Sequence, residues 1–279
     1  MIISDGLVYF LGGGAMAEAL IKGLLEKQVV GPTQIAVTDI RPERCLELEK
    51  KYAIVTESPA KMEHLREAAI VVLAFKPKDL EAALAAYGEH LNSGQLIISL
   101  LAGVKTQNIE KLLPAQTAVV RAMPNTAAAV GLAATALCGG QQATEEHLAA
   151  AEALFSATGI VQRVAEPLMD AVTGLSGSGP AYVYLLAEAM LAGGVAAGLD
   201  SNTARALTEQ TLLGAAYMLQ ASRRTPEELR KQVSSPGGTT LAGLEALDEY
   251  HFTEAVQEAI LRATKRSRTL SEIVVTGTN

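Results

Sequence analysis

The sequence predicts an α/β fold: an N-terminal doubly wound sheet followed by an all-helical C-terminal domain. Three observations carry this. Over residues 1–164, short apolar runs rich in β-branched residues alternate with helix-period segments. Fully apolar strands separated by helices are the mark of a parallel sheet covered on both faces. Beyond Ala165 the β signal stops, and residues 165–279 read as helices alone. Finally, the first apolar run ends in a glycine-rich turn that opens directly into a helix.

Strands are expected at Leu7–Leu11, Gln34–Thr38, Ile70–Phe75, Leu96–Leu100 and Ala118–Ala122, with two more at Ala133–Cys138 and Ile160–Val164. Helices between them fall at Ala15–Lys27, Pro42–Tyr52, Asp79–Leu91, Thr106–Leu113 and Glu145–Thr158. The helical half reads Pro167–Leu175, Pro180–Ala197, Ser201–Ala221, Pro226–Val233, Thr240–Leu247 and Phe252–Glu272. Pro180 suits a first helical turn, Gly198 a C-terminal stop, and Ser201 or Asn202 an N-cap. Ala187–Gly198 and Gly214–Ala216 are rich in small residues, which allow helices to approach closely. Residues 165–279 therefore read as a dimerisation domain, the alternative being a self-contained bundle.

The turn after the first strand is Gly12-Gly13-Gly14-Ala15-Met16-Ala17. In a Rossmann-type domain Gly12 makes the tight turn and Gly14 lets a diphosphate approach the backbone. Ala17 lets the helix pack on the strand, and the helix N-terminus faces the anion. A plain strand-to-helix turn has the same pattern, but the strand before it and the helix after it supply the context the fingerprint needs. The second strand ends Thr38-Asp39-Ile40-Arg41. An acid here accepts from a ribose 2′-hydroxyl and favours NAD, whereas Arg41 suits the 2′-phosphate of NADP. Asp39 lies about 25 residues beyond Gly14, against a usual ~20, so it can equally point elsewhere.

Composition narrows the remaining classes. A formal net charge of −7 and the absence of a basic run argue against a nucleic-acid surface. Cys45 and Cys138 are too few for a disulfide framework and lack metal-ligand spacing, so no metal is expected and a reducing, cytoplasmic setting fits. Met1–Gly6 lacks the basic start of a signal peptide, and the long uncharged stretches carry Pro, Asn and Gly, against a membrane span.

Polar or small groups stand at the strand ends where a ligand of such a sheet lies. They are Ala74-Phe75-Lys76-Pro77, Ala102-Gly103-Val104 and Arg121-Ala122-Met123-Pro124-Asn125-Thr126. In the helical half, Gly174-Leu175-Ser176-Gly177-Ser178-Gly179-Pro180 is a constrained turn before a long helix, either a connector or a substrate-facing element. Ser234-Ser235-Pro236-Gly237-Gly238-Thr239-Thr240 packs hydroxyls and two glycines into seven residues without charge. Amides freed at Gly237 and Gly238 can form a nest for a carboxylate; an ordinary loop ending in a helix N-cap fits the same residues.

Taken together, these segments resemble pyrroline-5-carboxylate reductases over nearly the whole chain, from Phe10 to about Leu270. The glycine loop is shared with many dehydrogenases, whereas Ser234–Thr240 is specific to that family. The resemblance implies reduction of the cyclic imine 1-pyrroline-5-carboxylate to L-proline, the last step of proline biosynthesis. It implies a homodimer, often assembled further into a decamer, and NADPH as the favoured cofactor, with NAD left open by Asp39. Carried onto this chain, the cofactor residues are Gly12, Gly13, Gly14, Ala15, Met16, Ala17, Thr38, Asp39, Arg41, Ala74, Lys76, Pro77, Ala102, Gly103 and Asn125. The substrate residues are Ser178, Ser235, Gly237, Gly238, Thr239 and Thr240, with Thr240 the hydrogen-bond donor to the ring nitrogen. A threonine hydroxyl has a poor pKa for a general acid, so orientation and relay from water matter more. A β-hydroxyacid dehydrogenase shares the architecture but needs a lysine in the helix after the glycine-rich turn, and there is none between Ala165 and Leu229. A non-catalytic dinucleotide sensor would leave the intact Ser234–Thr240 segment without a purpose.

Overall fold

The computed structural model describes residues 6–57 and 62–276, with side chains described through Leu270. The Met1–Asp5 part of the signal-peptide reading lies outside these residues. The sheet half runs β1 (Val8–Leu11), α1 (Ala15–Glu26), β2 (Ile35–Thr38), α2 (Pro42–Tyr52), β3 (Val55–Thr56), α3 (Glu63–Glu67), β4 (Ile70–Leu73) and α4 (Leu80–Tyr87). It continues with β5 (Leu96–Ser99), α5 (Thr106–Glu110), β6 (Ala118–Met123), β7 (Ala133–Gly139), α6 (Glu145–Ser156) and β8 (Gly159–Arg163). The helical part comprises α7 (Met169–Val172), a π-helical turn (Thr173–Gly177), α8 (Gly179–Ala196), α9 (Ser201–Ala221), α10 (Pro226–Gln232), α11 (Thr239–Glu249) and α12 (Phe252–Thr276).

The strands form one sheet in the order β3-β2-β1-β4-β5-β6-β7-β8. Alternate residues point to opposite faces. Val8, Phe10, Ile35, Val72 and Ile98 join Leu20 and Leu24 of α1 and Phe155 of α6 in one core layer. Tyr9, Leu11, Val71 and Ile97 join Leu65, Leu84 and Ile109 in the other. Burial on both faces is why β1 and β4 are apolar throughout and why β2 and β5 are apolar up to their last residues, Thr38 and Ser99.

Several expectations need correction. The sheet is not wholly parallel, because β7 runs antiparallel to β6. Only nine residues join these strands, with a 3₁₀ turn and no helix; a parallel return needs a crossover of about a dozen or more. The Pro167–Leu175 helix is instead a 3₁₀ turn, one turn of α7 and the start of the π turn. The N-cap of α9 is Asp200, whose Oδ1 accepts from the amides of Asn202 and Thr203 at 3.1 Å.

By packing, the chain divides into Met1–Ser178 with Arg262–Asn279, and Gly179–Leu261. The change of periodicity at Ala165 thus precedes the division, since Asp170 is held by Ser267 Oγ at 2.7 Å within the first unit. In the second unit, α8 has no buried residue and α9 buries only Ala204 and Thr208. Val183, Tyr184, Leu185, Leu213 and Tyr217 are exposed. A Cβ on Gly194 would stand 3.3 Å from Ala204 Cβ, so small residues do set the approach of α8 to α9. Among the described residues one helical stretch, Glu166–Ala196, is long and apolar enough to cross a membrane by length and composition. It contains Gly174, Gly177, Gly179 and Pro180, residues of the kind on which the sequence reading rejected a membrane span.

Candidate active site

The strand order reverses between β1 and β4, and the crevice outside their carboxyl ends is where a doubly wound sheet takes its ligand. Gly12–Gly14 follow β1 and Ala74 follows β4, and the two loops abut. Gly12 has φ +102°, and a Cβ there would lie 2.6 Å from the Ala74 carbonyl oxygen. Only glycine fits. At Gly14 the nearest atom to an added Cβ is that same oxygen, 4.0 Å away, so the space beside Gly14 is open to a ligand. Gly14 caps α1, leaving the amides of Ala15, Met16 and Ala17 without acceptors inside the helix. Ala17 is fully buried against the sheet core, as its role requires.

The β2–α2 junction fastens this loop. Gly12 donates to the Thr38 carbonyl at 2.8 Å, and Gly13 donates to Asp39 Oδ2 at 2.9 Å. Arg44 Nε donates to the Gly13 carbonyl at 2.6 Å. The Arg44 guanidinium also meets Glu18 and Glu47, and Glu18 is reached by Lys51 Nζ and the Tyr52 hydroxyl at 2.8 and 3.0 Å. Hydrogen bonds from Lys51 first, then Arg44, hold the Glu18 carboxyl down at about 2. Sequence reasoning missed Arg44 and Glu18, because no spacing rule ties a helix residue to a loop carbonyl.

Asp39 is 8% exposed, and its Oδ1 accepts from both the Arg41 amide and Arg41 Nε, at 3.0 and 3.1 Å. Burial pushes its carboxyl up, but the hydrogen bonds from Arg41 and Gly13 outweigh this and hold it low. The acid therefore faces the glycine loop and Arg41. Thr38 is buried, so it contributes its carbonyl rather than its side chain. Lys76 is exposed before the 3₁₀ turn Pro77–Asp79, and Ala102-Gly103 form the turn between β5 and α5. Asn125 is committed on both sides: Oδ1 accepts from the Ala134 amide at 3.3 Å and Nδ2 donates to the Ser176 carbonyl at 3.2 Å. The Ser178 amide donates to the Thr173 carbonyl at 2.8 Å. Cys138 is buried and its thiol is pushed up to about 12, so it is no nucleophile.

In the second unit, Ser235–Gly238 make a tight turn with Pro236 and Gly237 at its centre. Gly237 has φ +70° and Gly238 donates back to the Ser235 carbonyl at 3.0 Å. Proline then left-handed glycine is the type II pattern. The nest needs adjustment, because this bond consumes the Gly238 amide. Gly238, not Thr240, caps α11, and its carbonyl accepts from Leu241 and Ala242. The Thr239 and Thr240 amides are left without partners inside the helix, and the exposed Ser235 and half-buried Thr240 hydroxyls flank them. The N-cap reading of Thr240 is thereby overturned. The Ser234 hydroxyl is spent on the Arg230 carbonyl at 2.7 Å.

Comparison with known proteins bears on both units. Residues 166–270 match the family described as pyrroline-5-carboxylate reductase dimerisation, and residues 7–103 match NADP oxidoreductase coenzyme F420-dependent. A pyrroline-5-carboxylate reductase of Bacillus spizizenii is 42% identical over 97% of this chain and 91% of its own length. The chain belongs to the pyrroline-5-carboxylate reductase family. Among solved structures, the pyrroline-5-carboxylate reductase of Coxiella burnetii superposes with a TM-score of 0.89 at 34% identity, covering 96% of this chain and 99% of that one. A Plasmodium falciparum pyrroline carboxylate reductase with NADP bound gives 0.86 at 27% identity, covering 96% and 99%. Family membership accounts for the glycine loop and the Ser235–Thr240 turn occurring in one chain.

Proposed function

We propose that this protein reduces 1-pyrroline-5-carboxylate to L-proline with a reduced nicotinamide dinucleotide, as the names of its relatives describe. The observation that carries the reading is the Ser235–Thr240 turn. It offers two unspent helix-terminal amides and flanking hydroxyls, the donors a small carboxylate needs. Gly12, Gly13, Gly14, Ala15, Met16 and Ala17 cradle the diphosphate, with Ala74, Lys76, Pro77, Ala102 and Gly103 along the same edge. When bound, the cofactor supplies hydride to the imine carbon. The chain's own task is to hold the carboxylate through the Thr239 and Thr240 amides, to orient the ring nitrogen with the Thr240 hydroxyl, and to admit a water that delivers the proton. Ser178, at the end of the π turn, is assigned to the substrate side.

NADPH is the proposed cofactor. The charge of Asp39 is already met by Gly13 and Arg41, while the Arg41 side chain is 61% exposed and can turn its remaining donors to a 2′-phosphate. The exposed apolar faces of α8 and α9 fit burial against a second copy, so a homodimer, able to assemble further into a decamer, is proposed, functioning in the cytoplasm and away from membranes. Residues 1–164 serve the dinucleotide and 165–279 dimerisation and substrate.

Thr240 separates this from a binding module. Thr240→Ala should lower kcat about tenfold or more, since a transition-state hydrogen bond is worth at least ~1.4 kcal/mol. Thr240→Ser should keep most activity, and dinucleotide affinity should be unchanged in both. Wild-type kcat/KM in Thr240→Ala would remove the hydroxyl from the mechanism.

A further inference from the structure

Residues two apart on a strand share a face, and Arg121, Met123 and Asn125 use this spacing along β6 and just beyond it. All three meet the segment from Glu166 to Ser178. Arg121 is 3% exposed, with Nη1 3.8 Å from Glu166 Oε1, and the Glu166 carboxylate also accepts from the Thr106 amide and hydroxyl at 2.7 and 3.0 Å. Met123 packs with Met169 and Val172, and its Cε stands 2.7 Å from where a Gly177 Cβ would be. Asn125 ties the Ser176 carbonyl to the Ala134 amide at the start of β7. The segment closes in a π turn, a rare conformation that occurs frequently at functional sites.

We infer that Asn125 is a positioning residue: with Met123 and Arg121 it pins the π turn Thr173–Gly177 to the carboxyl end of β6, and so sets the Ser176–Ser178 backbone at the sheet's ligand edge, without itself touching the dinucleotide. Its oxygen and one N–H of its nitrogen are held by Ala134 and Ser176, which fixes the orientation of the amide between β7 and the π turn. This rests on the proposed reading of Ser178 as a substrate residue. The motif that looks like a cofactor turn in the sequence thus acts on the substrate side, through the π turn.

The test uses the full-length protein and two variants. Asn125→Asp keeps the shape and the acceptor for Ala134 but loses the donor to Ser176 until its carboxyl is protonated; Asn125→Ala loses both. Amide exchange measured without any ligand should quicken about fivefold over residues 173–178 in both variants, the loss expected for one hydrogen bond. In Asn125→Asp alone, protection should return as pH falls through the carboxyl range, after correction for intrinsic rates. NADPH dissociation constants should stay within about twofold of wild type, while KM for 1-pyrroline-5-carboxylate rises about fivefold. Wild-type exchange over 173–178 together with weakened NADPH binding would overturn the inference and make Asn125 a cofactor contact. Exchange and NADPH binding decide this even if the wild-type enzyme fails to turn over the imine, so the two proposals fail separately.

Discussion

Removing the Asp39 carboxylate tests how the glycine loop is held. In Asp39→Ala the amide of buried Gly13 loses its acceptor at 2.9 Å, whereas the exposed Arg41 amide regains one from water. An unsatisfied buried donor costs about 1–3 kcal/mol. At about 2–4 °C per kcal/mol for a unit of this size, the melting temperature of the ligand-free protein should fall by about 2–12 °C. Asp39→Asn keeps one oxygen, enough for Gly13, but puts an NH2 where Oδ1 accepts from the exposed Arg41 amide and Nε, so it should recover part of that fall. Because the loop serves any dinucleotide, Asp39→Ala should weaken NADPH and NADH alike, by about fivefold or more if at least 1 kcal/mol of loop ordering must be restored on binding. Scanning calorimetry and titration calorimetry with each cofactor measure both effects. An unchanged melting temperature with NADH alone weakened would refute this, and would place Asp39 at the ribose 2′-hydroxyl.

Gly14→Val fills the space beside Gly14, where the nearest atom to a Cβ is 4.0 Å away; the protein should fold and lose dinucleotide binding, and undiminished NADPH affinity would reduce the fingerprint to a turn. Sedimentation at micromolar concentration should show a dimer or larger, since α8 buries nothing within one chain; a clean monomer would overturn the assembly reading. Glu18 is held down at about 2 from 4.5 in the folded state, so its contribution is present above the unfolded value and lost as pH falls toward the folded one. Glu18→Gln should therefore melt lower than wild type at neutral pH, and the gap should close between about pH 4.5 and 2; a gap independent of pH would remove the Lys51 and Arg44 contacts as its cause.

Much of the fold was legible because fully buried strands and amphipathic helices carry strong periodicity. The seven longer strands lie within two residues of their expected ends, and α9 matches Ser201–Ala221. β3 and α3 were missed, since two and five residues are too short to show a period. The antiparallel β7 was readable in principle from its short, helix-free connection. The site was less so. The glycine spacing located the loop that follows β1 at the strand-order reversal, but Asp39 turns on side-chain orientation, and the contacts of Arg44 and Asn125 are tertiary hydrogen bonds that no local pattern encodes. The alternative in which this segment is a loop capped at Thr240 is excluded, because Pro236-Gly237 closes its turn early enough for Gly238 to cap α11.

The most direct measurement follows NADPH absorbance and L-proline together when the purified protein meets 1-pyrroline-5-carboxylate. Oxidation of the dinucleotide should proceed only with the imine present, and proline should appear in equimolar amount, as transfer of one hydride and one proton requires. Tight NADPH binding by calorimetry with no oxidation above the protein-free control, at saturating imine, would contradict the proposed reductase and leave a dinucleotide-binding protein.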